Sequence, residues 1–459
     1  LDALGANIRI DARGAEVLRI LPRINDDVNE EWLGDKSRFS VDGLKRRRLD
    51  RPWIRENGKL RAASWEEAFA AIAGKVKSTP PAKMGALAGD LADAEAMLAL
   101  KEFFAAMGSR NIDCRIDGAV FDTSKRAFYL FNTTIAGIEE ADALLIVGSN
   151  PRHEAPVLNA RIRKRWLAGK FPVGVIGKAA DLTYKYDHVG EAADALPALL
   201  NGTHPFAEVL KNAAKPMLIL GAGALARPDG AALHAAAWKL ASQFNMLTPE
   251  WHGFNVLHHA ASRVGALDLG FLPGEGAMDA QALLSGGADV LWLLGVDAEA
   301  VRNIPAHSFV IYQGHHGDAG AARADVVLPG AAYTEKDGTY VNTEGRGQRA
   351  YIAVKPPGDA REDWRILRAI SAYLGHALPY DTLEQLRDHL KAEYPVFAEE
   401  FRRFAGTDTA GPAAAGALSN VPFTPPLPNY YQTDVISRSS PTMAACVAAH
   451  NPALAEAAE

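Results

Sequence analysis

The feature that most constrains this chain is a repeated alternation of short, uninterrupted apolar runs with longer stretches of helical periodicity. Candidate buried strands are Met84–Ala88, Ala143–Val147, Val173–Ile176, Met217–Leu220, Val290–Leu294, Phe309–Tyr312 and Val326–Leu328. Candidate helices among them are Leu91–Met107, Val157–Leu167, Gly230–Phe244, Glu362–Leu374 and Leu383–Tyr394. A strand that is apolar at every position is buried on both faces, and strands alternating with helices build a parallel sheet covered on both sides. The expected class is α/β with doubly wound parallel sheets, and the pattern repeats often enough for more than one such sheet. Punctuation agrees with it. Ser64 and Glu67 form a capping box that opens a helix running to about Lys77, Gly108 suits a left-handed helix end, and Asp381 or Thr382 starts the last helix. Ahead of all this, Asn7–Pro22 alternates apolar and polar residues around Gly14, which predicts a hairpin, and residues 25–52 read as irregular.

At 459 residues the chain has room for about three domains. It carries 49 Lys and Arg against 55 Asp and Glu, a formal charge of −6, the wrong balance for a protein that gains affinity by neutralising phosphates. Nucleic acid is therefore not expected as a partner. The only cysteines, Cys114 and Cys446, cannot supply a four-thiolate iron–sulfur or zinc site, and such sparse usage fits a reducing compartment. No run of about 18 apolar residues is present, so no membrane span is expected. The uncharged stretch Thr409–Thr433 is broken by Pro412, Pro422, Pro425, Pro426 and Pro428 and reads as a linker. The chain starts at Leu1 with no signal-peptide pattern, which suggests a piece of a longer polypeptide.

Residues 141–150, ADALLIVGSN, echo residues 288–297, ADVLWLLGVD. Each reads as a buried strand leaving the sheet at a glycine, with Asn150 or Asp297 two residues later. Ligands of open α/β sheets dock at the carboxyl ends of strands, where glycine lets backbone approach them. The echo predicts two related half-sites, against the plain alternative that buried strands with glycine exits resemble one another.

Other motifs carry competing readings. Residues 221–226, GAGALA, match a dinucleotide fingerprint. Pro228 and Asp229 delay the helix, and no strand ending in an acid follows at the usual distance, which favours a tight strand-to-helix turn. His252, His258 and His259, with His315 and His316, form two clusters; adjacent histidines on a strand face opposite ways, which favours structural roles over a metal site. The basic runs 45–48 and 161–165 suit a partner-subunit surface or a solvated face. Cys114 beside Arg115 is an activated thiol or an incidental one. Tyr430 and Tyr431, after the Ala/Gly/Pro-rich segment 410–428, anchor an extended tail on a neighbouring surface or belong to an unpaired tail. No nucleophile elbow, P-loop or HExxH motif occurs.

Residues 324–330, ADVVLPG, with Glu335 and residues 338–346, GTYVNTEGR, resemble the molybdopterin oxidoreductase superfamily, as does the strand exit Gly148-Ser149-Asn150-Pro151. A narrower set resembles the largest peripheral (G-type) subunit family of respiratory NADH:quinone oxidoreductase, complex I: residues 25–32, 150–164, 314–318 and 433–438. The resemblance spans essentially the whole chain. It implies a vestigial pterin cleft with Gly148, Asn150, Gly295, Asp297 and Asn342 as candidate residues. Two departures from a working molybdoenzyme stand out. Gly34 occupies the place of a cluster-binding Cys, and aligning on Arg115 puts Asp117 at the metal-ligand position, with Cys114 close by.

The resemblance therefore implies a structural region with no catalytic residue, no metal and no cofactor of its own. Iron–sulfur clusters are expected in a region ahead of Leu1 and FMN in a partner subunit. Within the assembly, electrons would pass from NADH to quinone as protons are pumped. Partners would be other peripheral-arm subunits, on the cytoplasmic face of a bacterial inner membrane or the mitochondrial matrix face. The expected domains are an iron–sulfur cap remnant at 1–62, an α/β domain from 63–135 with 262–355, an inserted α/β domain at 136–261, a helical segment at 356–405 and a linker with tail at 406–459. The rivals are an active molybdopterin-dependent oxidoreductase of formate dehydrogenase type, and a nucleotide-binding regulator using Gly148, Gly221 or Gly295.

Overall fold

The computed structural model describes residues 1–406, 410–413 and 416–451. Thr409, Ala414 and Ala415 of the expected linker, and residues 452–459 of the expected tail, lie outside the described residues. The chain opens with a hairpin, β1 (Ile8–Arg13) and β2 (Glu16–Pro22), turning at Gly14 with φ +61°. The stretch that read as irregular holds a short helix, Asp35–Phe39, and a 3-10 turn, Ser40–Lys45. A second hairpin, β3 (Trp53–Glu56) and β4 (Lys59–Ala62), precedes the capped helix Trp65–Val76, whose Ser64 and Glu67 satisfy each other's amides.

Then come β5 (Met84–Ala88) and β6 (Ile112–Asp113), separated by the buried helix Ala94–Ala106. That helix starts three residues later than its apolar pattern suggests because Asp93 accepts the Ala96 N–H at 2.8 Å and acts as its cap. The chain next builds a separate five-stranded parallel sheet from β7 (Ala143–Val147), β8 (Val173–Ile176), β9 (Asp187–Gly190), β10 (Pro216–Gly221) and β11 (Phe254–Leu257), in the order β11-β10-β7-β8-β9. It returns to the first sheet with β12 (Val290–Leu294), β13 (Phe309–Gly314) and β14 (Val326–Pro329). That seven-stranded sheet has the order β4-β3-β14-β13-β12-β5-β6, parallel from β14 to β6, with the hairpin antiparallel at its edge. A last hairpin, β15 (Gly338–Val341) and β16 (Gly347–Ala350), lies beside the N-terminal residues, Thr343 donating its amide to the Ala3 carbonyl at 2.7 Å.

The apolar runs are buried for the reason their composition gives. Every residue of β5, β7, β8, β10 and β12 is buried, so each strand is covered on both faces. Helices Asp363–Tyr373 and Leu383–Glu393 pack against Ala94–Ala106. Beyond Gly416 the chain runs past the turn after β10 and enters helices Val435–Arg438 and Pro441–His450.

Candidate functional site: two glycine strand exits on one cleft

Both echoed segments end as strands that leave their sheets at a left-handed glycine, with φ +58° at Gly148 and +62° at Gly295. At the first exit the backbones are pressed together. A Cβ on Gly148 would stand 2.7 Å from the Ala224 methyl, and one on Gly221, the last residue of β10, would stand 2.5 Å from the Gly148 carbonyl oxygen. The GAGALA run is thus a tight turn into a fully buried four-residue helix, Ala222–Leu225, whose glycines make room for the neighbouring strand exit.

Asn150 leads into the short helix Pro151–Glu154. Its backbone N–H is taken by Oε1 of Glu154 at 2.5 Å, while Oε2 of the same carboxyl is buried with no partner among the described residues. Burial pushes this carboxyl up to about 7 against the pull of the Asn150 amide and Ser149. At the second exit Asp297 itself is the carboxylate. Its oxygens accept the Tyr312 O–H at 2.6 Å and the Gly320 N–H at 3.0 Å, where helix Ala319–Arg323 begins. Burial pushes Asp297 up to about 6, opposed by Tyr312, Arg438 and the Gly320 amide.

Gly295 and Asp297 line a cavity of about 200 Å³ together with the charged residues Asp117, Lys336, Asp363 and Arg438. Lys336 sits 2.6 Å from both Asp93 and Asp363, which outweigh its desolvation and hold it charged. The Gln313 amide donates to Asp363 at 3.0 Å, leaving its own carbonyl oxygen buried and unpartnered among the described residues. A smaller cavity of about 50 Å³ joins Glu154 to the same cleft through Asp90, His259, Thr433 and Asp434. Of the five candidate residues, four therefore flank the two exits. Asn342 does not: it lies in the turn between β15 and β16, donating to the Leu4 carbonyl at 3.1 Å and accepting the Arg346 N–H at 2.9 Å.

Asp117, which the resemblance aligns with a metal-ligand position, is paired within the chain. Arg263 donates to Asp117 at 2.9 Å, and although burial would raise this carboxyl, Arg263, His259 and the Ala119 amide hold it at about 2. Cys114 is buried, and desolvation pushes its thiol up to about 12, so of its two readings the incidental one holds. The cavity is smaller than the roughly 300–1,000 Å³ of pockets for drug-sized ligands. A pterin dinucleotide with a metal ligated at Asp117 does not fit the cleft as it is built.

The histidines correct one expectation. His315 and His316 follow the end of β13, so strand alternation does not separate them, and their Nδ1 atoms meet at 2.5 Å. His316 bonds the Gly43 carbonyl at 3.0 Å and His258 the Tyr129 carbonyl at 2.7 Å. Burial lowers His258 to about 3 and His316 to about 4, so both are neutral. Of the basic runs, Lys45, Arg46, Arg47, Arg163 and Lys164 stay exposed, as a solvated or partner-facing surface requires, while several members are tied within the chain. Arg48 is ion-paired with Glu335, Lys45 reaches Glu16 at 2.6 Å, and buried Arg161 donates to the Asp26 carbonyl at 2.6 Å. Glu154, Arg263, Lys336 and Arg438 escaped the sequence reading. Only Glu154 left a signal, an acid four residues after Asn150 in a proline-led first turn.

Comparison with known proteins adds three family matches. Residues 48–373 match molybdopterin oxidoreductase, and residues 1–42 match the NADH-ubiquinone oxidoreductase NDSU1/NuoG-like 4Fe-4S domain. Residues 400–446 match the C-terminal region of the G-type NADH-ubiquinone oxidoreductase subunit. Residues 1–42 contain no cysteine and so offer a cluster no thiolate. The G-type NADH-quinone oxidoreductase subunit of Rickettsia conorii is 47% identical over 455 residues, covering 98% of this chain and 65% of that one. The mitochondrial NADH-ubiquinone oxidoreductase 78 kDa subunit of Neurospora crassa is 44% identical, covering 98% and 61%. This chain thus spans somewhat under two thirds of the length of these relatives. Among solved structures, acetylene hydratase from Pelobacter acetylenicus aligns with TM-score 0.56 at 13% identity, covering 86% of this chain and 71% of that one. A chain of the formyltransferase/hydrolase complex of Methylorubrum extorquens aligns at 0.51 and 18%, covering 70% and 98%. At those identities the likeness concerns the fold alone.

Proposed function

The chain belongs to the molybdopterin oxidoreductase family, in the form carried by G-type subunits of NADH-quinone oxidoreductase, and we propose that it serves as a structural region of that complex's peripheral arm. The observation that carries this reading is the Asp117–Arg263 pair. At the position where a metal ligand would stand, the carboxylate is already neutralised by a buried guanidinium, and the nearby thiol is kept protonated by burial. The residues hold the fold together where a redox enzyme would hold its metal.

On this reading electrons enter the assembly from NADH through FMN in a partner subunit. They pass along iron–sulfur clusters held outside these 459 residues and reach quinone, with proton pumping elsewhere in the complex. Partners are other peripheral-arm subunits, on the cytoplasmic face of a bacterial inner membrane or the matrix face of a mitochondrion. No helix of the described residues is long and apolar enough to cross a membrane. Residues 136–261 act as a domain inserted between 63–135 and 262–355, which agrees with all five strands of the second sheet falling inside that interval.

The test is isolation of the native protein from membranes through an affinity tag on this chain. The expected result is co-isolation of NADH oxidation activity with FMN and iron–sulfur clusters. A protein isolated free of other subunits, reducing a dye with formate and without NADH, would overturn the reading in favour of the active oxidoreductase.

A further inference from the structure

We propose that the cleft at the two strand exits is a peptide-binding cleft, and that its resident ligand is the chain's own segment 421–438, seated where open α/β sheets hold their nucleotides. This does not depend on membership of any assembly, because every contact lies within one chain.

The segment crosses both half-sites in order. At the five-stranded sheet Phe423 is buried, its N–H donating to the Glu191 carbonyl just beyond β9 at 2.9 Å. The Arg227 guanidinium lies 4.8 Å over its ring and donates to the Val421 carbonyl at 2.9 Å. Thr424 and Pro426 then cover the glycine turn after β10. A Cβ on Gly223 would stand 3.1 Å from the Thr424 carbonyl oxygen and 3.0 Å from the Pro426 ring. Tyr430 stacks on His153, in the helix that follows Asn150, with centroids 5.8 Å apart. Lys36 donates to Thr433 and lies over the Tyr430 ring.

At the second exit Asp434 is buried and accepts the amides of Ile436 and Ser437, each at 3.0 Å. Arg438 closes the crossing: it reaches Asp318 at 2.6 Å and donates to the Asp297 carbonyl at 3.3 Å. The receiving surface is shaped for this strap, since a Cβ on Gly43 would collide with the Ile436 carbonyl. Four prolines between 422 and 428 keep the crossing extended and lower the entropy lost on seating it. Anchors at both ends and a pre-stiffened middle are what a peptide needs to occupy a groove built for another ligand.

The test uses the full chain with a protease site inserted between Asp408 and Thr409. After cleavage the C-terminal piece is expected to stay with the body through gel filtration. The double variant Phe423→Ala, Arg438→Ala should release it, and a synthetic peptide of residues 417–451 should rebind saturably. If the cleaved body does not stay folded, hydrogen exchange on the uncut chain decides. Arg438→Ala should speed exchange of the amides at 148–155 and 295–298 by tenfold or more, with strands β5 and β10 unaffected. Release of the piece from the unsubstituted protein without loss of thermal stability overturns the proposal. So does unchanged exchange at both exits in Arg438→Ala, or uptake of a purine dinucleotide by the intact chain with displacement of the tail.

Discussion

At the exit of β7 the carboxyl facing the cleft comes from four residues further along, Glu154, and no cation among the described residues pairs with it; at the exit of β12 it is the exit residue itself, Asp297, held by a hydroxyl and an amide with Arg438 beyond. The same strand–glycine–polar signature thus ends in two different closures. A neighbouring strand end presses a glycine against each exit, Gly221 on Gly148 and Gly89 on Gly295, but only at β7 is the exit glycine's own side of the backbone filled, by Ala224, and there burial raises the Glu154 carboxyl. At β12 the glycine has open space, and the closure is polar and long-range, drawing on β13, a helix start and the C-terminal segment. Two exits of the same backbone geometry thus satisfy their buried groups with whatever the surrounding chain supplies.

The largest expected difference between the halves is steric. Gly148→Ala should cost about 3 kcal/mol, combining left-handed strain with overpacking against Ala224. Gly295→Ala has nothing within 4 Å and should cost about 1 kcal/mol from backbone strain alone. Denaturant unfolding of both variants checks this, and equal costs would break the steric half of the comparison.

Next is pH. A carboxyl raised on folding costs stability once it ionises: nothing below the unfolded value of 4.5 for Glu154, a growing loss as pH rises, and the full cost above about 7. Glu154→Gln keeps an acceptor for the Asn150 amide and removes the charge. It should therefore stabilise the protein by about 2–3 kcal/mol at pH 8 and leave it unchanged at pH 4. Asp297 is raised for the same reason, but Asn in its place would lose one of two acceptor contacts and the attraction of Arg438. Asp297→Asn should gain less than about 1 kcal/mol at pH 8. Thermal melts at the two pH values separate the pair.

The smallest effect concerns the matched polar residues. Asn150 serves through its backbone, its side-chain oxygen being buried and unpartnered among the described residues, so Asn150→Ala should lie within about 0.5 kcal/mol of the parent. Asp297→Ala leaves the Tyr312 hydroxyl only its longer bond to the His316 carbonyl at 3.3 Å and leaves the Gly320 amide without its acceptor, and should cost about 2 kcal/mol, read by the same unfolding curves.

What the sequence revealed follows the same division between local and distant. Central strands such as Met84–Ala88 and Val290–Leu294 were legible to the residue because burial on both faces leaves no polar interruption. Edge strands were not. β3 and β4 carry charged residues on their open sides, and β9 reads Asp-His-Val-Gly. β11 hides Asn255, whose amide bonds Thr133 at 2.9 Å and breaks the apolar run. The glycine exits were visible because a strand and its turn are contiguous. Arg263 and Arg438 were not, because their acids, Asp117 and Asp318, lie more than a hundred residues away. Asn342 shared a family motif with the cleft yet turned away from it, held by the N-terminal segment.

The central claim is that the exits are closed by the chain's own residues. Its most direct test is metal analysis of the purified native protein, with release of bound pterin or nucleotide, normalised to this chain. The account predicts neither molybdenum nor tungsten nor pterin at a meaningful fraction per chain, whatever iron accompanies it. One molybdenum or tungsten with a pterin per chain would contradict it, because the Asp117–Arg263 pair and the seated segment would then have to open to admit them.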